Sequence, residues 1–215
     1  MIIPKLHYIA EGDSPKTILE NIQKACTSGA ELVRFGMENA SEKKVLKIAK
    51  EAIKITSHYQ TRLIISGFYK VAKEVKADGV YLEKADSCPT IARKYLHTWQ
   101  SIGGAANTLE DCEALLDKEI DYINLGPFKS TFTKDSLNPA LGLKGYTAIT
   151  DVLKTPIPII GFGGITLEDV PDLLKADISG IAVSHAITQN FDSIRDFNKL
   201  LNASSTQEQR HTFEA

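Results

Sequence analysis

Eight short runs rich in β-branched and aromatic residues alternate along this chain with eight longer stretches of helical spacing. The strand-like runs are KLHYIA (5–10), ELVRFG (31–36), RLIIS (62–66), GVYL (79–82), SIGG (101–104), YINL (122–125), PIIG (158–161) and GIAV (180–183). The helical stretches are 15–28, 41–59, 69–76, 89–97, 108–117, 144–153, 167–175 and 192–201. Every passage from one strand to the next is long enough for a helical crossover and too long for a hairpin, which is the pattern of a parallel sheet covered by helices. Eight such units close most simply into a single α/β (β/α)₈ barrel. The alternative, an open doubly wound sheet, would have fewer strands or a glycine fingerprint in its first turn.

Helix starts agree with this reading. Ser41 precedes EKKVLKIAKEAIKI, Asn107 or Thr108 precedes LEDCEALL, and Thr166 precedes LEDVPDLL, each with acids in the first turn. Gly29 and Gly145 read as punctuation between elements. No linker rich in Pro, Gly or Ser divides the 215 residues. The expectation is one barrel domain over 1–202 and a frayed tail over 203–215.

Composition narrows the function classes. Hydrophobic residues at 43% supply a core, and 25 Lys and Arg against 27 Asp and Glu leave a net charge of −2. That balance provides no basic field for nucleic acid. The longest apolar runs, such as IPIIG at 157–161, fall far short of the roughly 20 residues that span a bilayer, so no membrane is expected. MIIPKLHYIA lacks the basic start and apolar core of a secretory leader, which makes the cytoplasm the default compartment. Cys26, Cys88 and Cys112 form no metal-ligating or disulfide pattern and read as buried thiols.

In a (β/α)₈ barrel the chemistry sits in the loops that follow the strands. The loop after strand six, GPFKSTFTKDSLNPALGLKGY, is long and offers Thr131 and Thr133 hydroxyls with the charge of Lys134, a set suited to a phosphate or diphosphate; its alternative reading is a solvated surface loop. After strand seven, Gly163 and Gly164 allow backbone N–H groups to approach an anion, and Ser184 stands at the tip of strand eight. Asp86, after strand four, reads equally as a Mg²⁺ ligand or as the cap of the following helix. Arg34 and Gly36 share one side of strand two; if that side is the interior, Arg34 is a partly buried guanidinium that needs an anion.

GPFKSTFTK with LGLKGY downstream, IPIIGFGGIT, KVAKEVKADGVYLEKAD and GIAVSHAIT resemble the corresponding stretches of thiamin phosphate synthases and the related thiazole tautomerases. The resemblance runs from about residue 5 to 200. It implies a (β/α)₈ barrel that joins the pyrimidine diphosphate and thiazole phosphate halves of thiamin and releases pyrophosphate with Mg²⁺. It further implies that Gly163, Gly164 and Ser184 cradle the thiazole phosphate, that Thr131 and Thr133 lie in the family's hydroxyl-bearing loop, that Lys134 binds diphosphate, and that Asp86 is one of two magnesium carboxylates.

The chain also departs from the pattern. The synthases carry Gln-x-Arg-x-Lys on strand two, where this sequence has Arg34, Gly36 and Glu38. They carry Asn-Asp after strand three, where it has Ser66 and Gly67. The acid–base histidine of the tautomerases falls at Asn107, which cannot transfer a proton near neutral pH. Arg to Gly removes one positive charge and Lys to Glu two, while the lost Asp returns one, so the diphosphate side is poorer in cations than the family pattern. Two functions follow: a synthase of this type acting on small phosphorylated substrates, or a barrel retained as a receptor for thiazole phosphate or thiamin phosphate without turnover. Oligomeric state is not legible.

Overall fold

Successive side chains on a strand point to opposite faces, so each four- to six-residue run must satisfy two environments at once. A computed structural model describes residues 2–37, 39–130 and 139–203. In it the strands β1 (Leu6–Ala10), β2 (Leu32–Phe35), β3 (Arg62–Ser66), β4 (Gly79–Leu82), β5 (Ser101–Ala106), β6 (Tyr122–Leu125), β7 (Ile159–Phe162) and β8 (Gly180–Val183) pair in parallel, in chain order. Pairing of β1 with β8, Tyr8 beside Val183, closes the barrel. The expected (β/α)₈ architecture is the one observed.

The outer ring is formed by α1 (Pro15–Thr27), α2 (Glu42–His58), α3 (Tyr69–Glu74), α4 (Pro89–Tyr95), α5 (Leu109–Leu116), α6 (Gly142–Val152), α7 (Val170–Lys175), α8 (His185–Gln189) and α9 (Ser193–Leu201). The outward strand face is apolar: Val33, Phe35, Leu63, Ile65, Val80 and Ile123 are at most 0% exposed and pack in one cluster with helix residues such as Ile22, Ala49 and Val170. Burying a side chain of this size contributes roughly 1.5–3 kcal/mol, so this layer holds the barrel together. The inward face is different, as described below.

Local chemistry sets the helix starts. The Ser14 hydroxyl accepts from the Thr17 N–H ahead of Pro15. Ser41 caps α2 in the same way. Thr108 and Asp111 exchange reciprocal side-chain and backbone bonds at α5, and Thr166 pairs with Asp169 through the turn before α7.

Four readings need correction. β5 continues to Ala106, two residues past the expected end, because Ala105 and Ala106 pair with Asn124 and Leu125 despite their weak strand propensity. Gly145 is not punctuation but lies inside α6. Cys26 and Cys112 are buried, whereas Cys88 is exposed at the cap of α4, where the chain turns into Pro89. Asp86 is not a helix cap, since α4 begins three residues beyond it. Of the expected tail, Ala203 still donates its N–H to the Asn198 carbonyl, and 204–215 lie outside the described residues.

Candidate active site

The strand ends on the β7–β8 side keep the features read from the sequence. Phe162 pairs with Ala182 in adjacent strands, so the Gly163–Gly164 turn follows the end of β7 and Ser184 the end of the neighbouring β8. Gly163 and Gly164 both have positive φ, +94° and +66°. A Cβ on Gly163 would lie 2.5 Å from Pro127 Cβ and 2.7 Å from Pro127 Cα, so only glycine fits the turn. The Lys129 N–H donates to the Gly163 carbonyl at 2.9 Å, binding the loop after β6 to the loop after β7. Lys129 Nζ does so again, lying 2.8 and 2.6 Å from the two Asp169 carboxylate oxygens. Ser184 carries a feature the sequence did not announce: its hydroxyl donates to Glu11 Oε2 at 2.8 Å, from the loop after β1.

The opposite side, at the ends of β2, β3 and β4, is built from small residues. A Cβ on Gly36 would stand 2.7 Å from Ser66 Cβ, so the two positions are sterically coupled and a larger residue at one requires the other to yield. Gly67 has φ +77°, and a Cβ there would lie 3.3 Å from Asp86 Oδ1. Asp86 Oδ2 accepts the Glu83 N–H at 2.8 Å, which closes the loop after β4, while Oδ1 has no hydrogen bond among the described residues. A groove of about 340 Å³ opens beside it, lined by Lys84, Asp86, Cys88, Asp111 and Lys118 among others. Lys84 and Asp111 pair across this groove at 2.5 Å. Hydrogen bonds from Thr90 hold the exposed Cys88 thiol below its ordinary range. No cluster of three His, Cys, Asp or Glu side chains able to hold a metal occurs among the described residues.

Between these sides, Asn107 is a structural residue. Its amide donates to the Gly126 carbonyl, and its N–H donates to Asp111 Oδ2 at 2.9 Å, which ties the β5 loop to β6 and to the start of α5. Glu38, Thr131, Thr133 and Lys134 lie outside the described residues.

Beneath the mouth, the inward face is polar. Arg34 does face the interior and is 5% exposed; its guanidinium carbon lies 3.8 Å from the centre of the Tyr81 ring. His7, Tyr81, Tyr122 and Asn124 share that interior and are fully or almost fully buried. Burial, and then the charge of Arg34, push the His7 pKa down to about 3, so the ring is neutral. Its Nε2 donates to the Pro4 carbonyl at 3.0 Å, which leaves Nδ1 as an acceptor. Burial raises the phenol pKa values of Tyr81 and Tyr122, so both stay protonated. Sequence reasoning found Arg34 but missed the other four, although each sits on the inward parity of its strand.

The whole chain can be placed among known proteins. Residues 6–187 match the family model described as thiamine monophosphate synthase. The chain is 38% identical to a thiamine-phosphate synthase of Flavobacterium psychrophilum over 203 residues, covering 92% of this chain and 98% of that protein. It is 34% identical to a thiamine-phosphate synthase of Bacteroides fragilis, again covering 92% and 98%. The solved thiamine phosphate pyrophosphorylase from Pyrococcus furiosus superposes with a TM-score of 0.75 at 26% identity, over 92% of this chain and 95% of that one. A barrel whose residues 6–187 match this family model, and which is 38% identical to such a synthase over nearly the whole of both chains, belongs to the thiamine monophosphate synthase family.

Proposed function

We propose that the chain joins a pyrimidine diphosphate to a thiazole phosphate with release of pyrophosphate, the reaction its relatives' names imply. The observation that carries this is family membership across the entire barrel, together with the glycine turn and Ser184 following the ends of adjacent strands. In this reading the Gly163–Gly164 turn and Ser184 hold the phosphate of one substrate through N–H groups and a hydroxyl. Thr131, Thr133 and Lys134 serve the diphosphate of the other.

Release of pyrophosphate develops negative charge that cations must meet. Arg34 and Lys134 are the chain's own cations assigned to that task. Mg²⁺ binds commonly through one or two carboxylates with substrate phosphates completing its shell, and the open Oδ1 of Asp86 fits the one-carboxylate form. When bound there, the ion would neutralise diphosphate charge. With Gly67 in place of a second carboxylate, the requirement for Mg²⁺ is higher than in a two-carboxylate site.

Among the described residues no helix is long and apolar enough to cross a membrane. The free thiols of Cys26, Cys88 and Cys112 support a reducing compartment, which we take to be the cytoplasm.

Pyrophosphate release, followed with both substrates over a Mg²⁺ titration, tests the assignment. A rate in the ordinary enzymatic range, roughly 1–10³ per second, at saturating Mg²⁺ is the expected result. Substrate binding without pyrophosphate release at any Mg²⁺ concentration would overturn it.

A further inference from the structure

A helix on the outer wall of a barrel buries one face on the strands and leaves a polar face to solvent. α4 departs from that rule. It buries Pro89 and Ala92 and turns Ile91, Lys94 and Tyr95 outward. Ile91 and Tyr95 are one turn apart, so they form a single ridge, and they are 55% and 42% exposed. The next helix has the opposite character. α5 buries Cys112 and Leu115, while Glu113, Ala114 and its C-cap residue Asp117 are exposed. One helix therefore carries an apolar ridge with a cation, and its neighbour a low point at Ala114 with acids on either side. The groove described above lies between them, with Cys88 and Pro89 on the α4 side and Ala114 and Leu115 on the α5 side.

The charges of this patch have no partner within the chain. Lys94, Glu113 and Asp117 make no ion pair among the described residues, although Lys84, Arg93 and Asp111 close by are all paired. The patch is also held in place. Arg93 Nη2 donates to the Glu119 carbonyl, just past α5, at 3.0 Å and to Asp121 Oδ2 at 2.5 Å. Tyr95 stands edge-on to Tyr69 with ring centres 5.4 Å apart, and Lys73 Nζ lies 4.5 Å from the centre of its ring. A surface fixed in this way loses little freedom on association.

We propose that the α4–α5 wall is an interface between two copies of this chain, related by a two-fold axis that runs along the groove between the helices. Rotation about that axis lays α4 of one copy on α5 of the other and repeats the contact in reverse, the isologous arrangement of a symmetric dimer. Ile91 and Tyr95 then cover the partner's Ala114, and Lys94 meets the partner's Asp117. Both of these charged residues stand at the C-terminal ends of their helices, and a rotation about an axis along the helices leaves them level. An axis across the helices would instead set Lys94 against Lys94 and Glu113 against Glu113, so charge selects the orientation. A second copy fits better than an unrelated acidic or basic partner because this one patch carries both signs. An apolar centre with charges around it is the ordinary anatomy of such a contact.

Sedimentation velocity of the full chain over a concentration series is the test. The wild type should sediment at twice the mass of one chain. Ile91→Asp should raise the dissociation constant roughly tenfold or more by placing a charge in the apolar centre. Lys94→Glu and Asp117→Lys should each weaken the dimer by a similar factor, because each sets like charges across the axis. Combined in one chain they should recover most of that loss, since the swapped charges again face each other, and recovery excludes misfolding as the cause. A wild type that stays monomeric at its highest soluble concentration overturns the proposal and leaves the wall to a different partner. A dimer that none of the three single variants weakens places the interface elsewhere and overturns it as well. A double variant no better than its parts overturns the pairing of α4 with α5.

Discussion

The two sides of the barrel mouth, to which the proposed function assigns two phosphate groups, are built differently. On the β7–β8 side the backbone dominates: two consecutive glycines have positive φ, Gly163 packs against Pro127, and Ser184 follows the adjacent strand. On the β2–β4 side the backbone is fitted around small side chains, Gly36 against Ser66 and Gly67 against Asp86, and the cation sits one layer deeper at Arg34. A turn that admits only glycine tolerates little change. A side built from side-chain identity can lose or relocate its charges while the barrel stays intact. That difference explains how the departures at positions 36, 66 and 67 coexist with family similarity over the whole fold.

The sharpest way to break this comparison is Gly163→Val. The new Cβ meets Pro127 in a backbone conformation that L residues rarely adopt, so a loss of roughly 2–5 kcal/mol is expected in denaturant melts. A near-neutral result would remove the distinction between the two sides. Gly36→Arg is the smaller perturbation, costing about 1–3 kcal/mol through the contact with Ser66. Ser66→Gly in the same chain should return much of that loss, and a double-mutant cycle showing simple additivity would contradict the coupling.

The interior beneath both sides gives a third test. His7 has its pKa depressed in the folded protein, so the unfolded chain binds the proton first as pH falls. The stability associated with its neutral form is present above about pH 6.5 and is lost between there and about pH 3, by at most about 1.4 kcal/mol per pH unit. His7→Gln should flatten that part of the profile; an unchanged slope would mean that the imidazole is not held neutral. The smallest effect concerns the metal. Gly67→Asp places a second carboxylate beside Asp86, and the Mg²⁺ concentration giving half-maximal pyrophosphate release should fall roughly tenfold, about 1.4 kcal/mol. An unaltered Mg²⁺ dependence would show that Asp86 does not meet the ion.

Much of the fold was legible because alternation of period two with helical spacing constrains each element separately. β3, β4, β6 and β8 fall on the expected residues, and the capping residues Ser41, Thr108 and Thr166 mark real starts. The rim glycines were legible because their surroundings identified them as loop residues after a strand. The polar interior was not. Parity assigns His7, Tyr81, Tyr122 and Asn124 to one face of their own strands, but only the relative register of eight strands brings them around Arg34. Glu11 escaped notice for a related reason: it meets Ser184 from 173 residues away in sequence.

That contact lies across the seam where the first and last strands meet. In the free protein a carboxylate already occupies the hydroxyl assigned to the ligand's phosphate. Under the proposed role of Ser184, arrival of phosphate would be an exchange of acceptors, and the departing Glu11 would turn to solvent as a like charge moves in. A dianion with several other donors to engage can win that competition, whereas a weakly held monoanion gains little by displacing one carboxylate with another. Such a seam would favour multiply charged ligands, and affinity at the rim would be the intrinsic one diminished by the cost of turning Glu11 away.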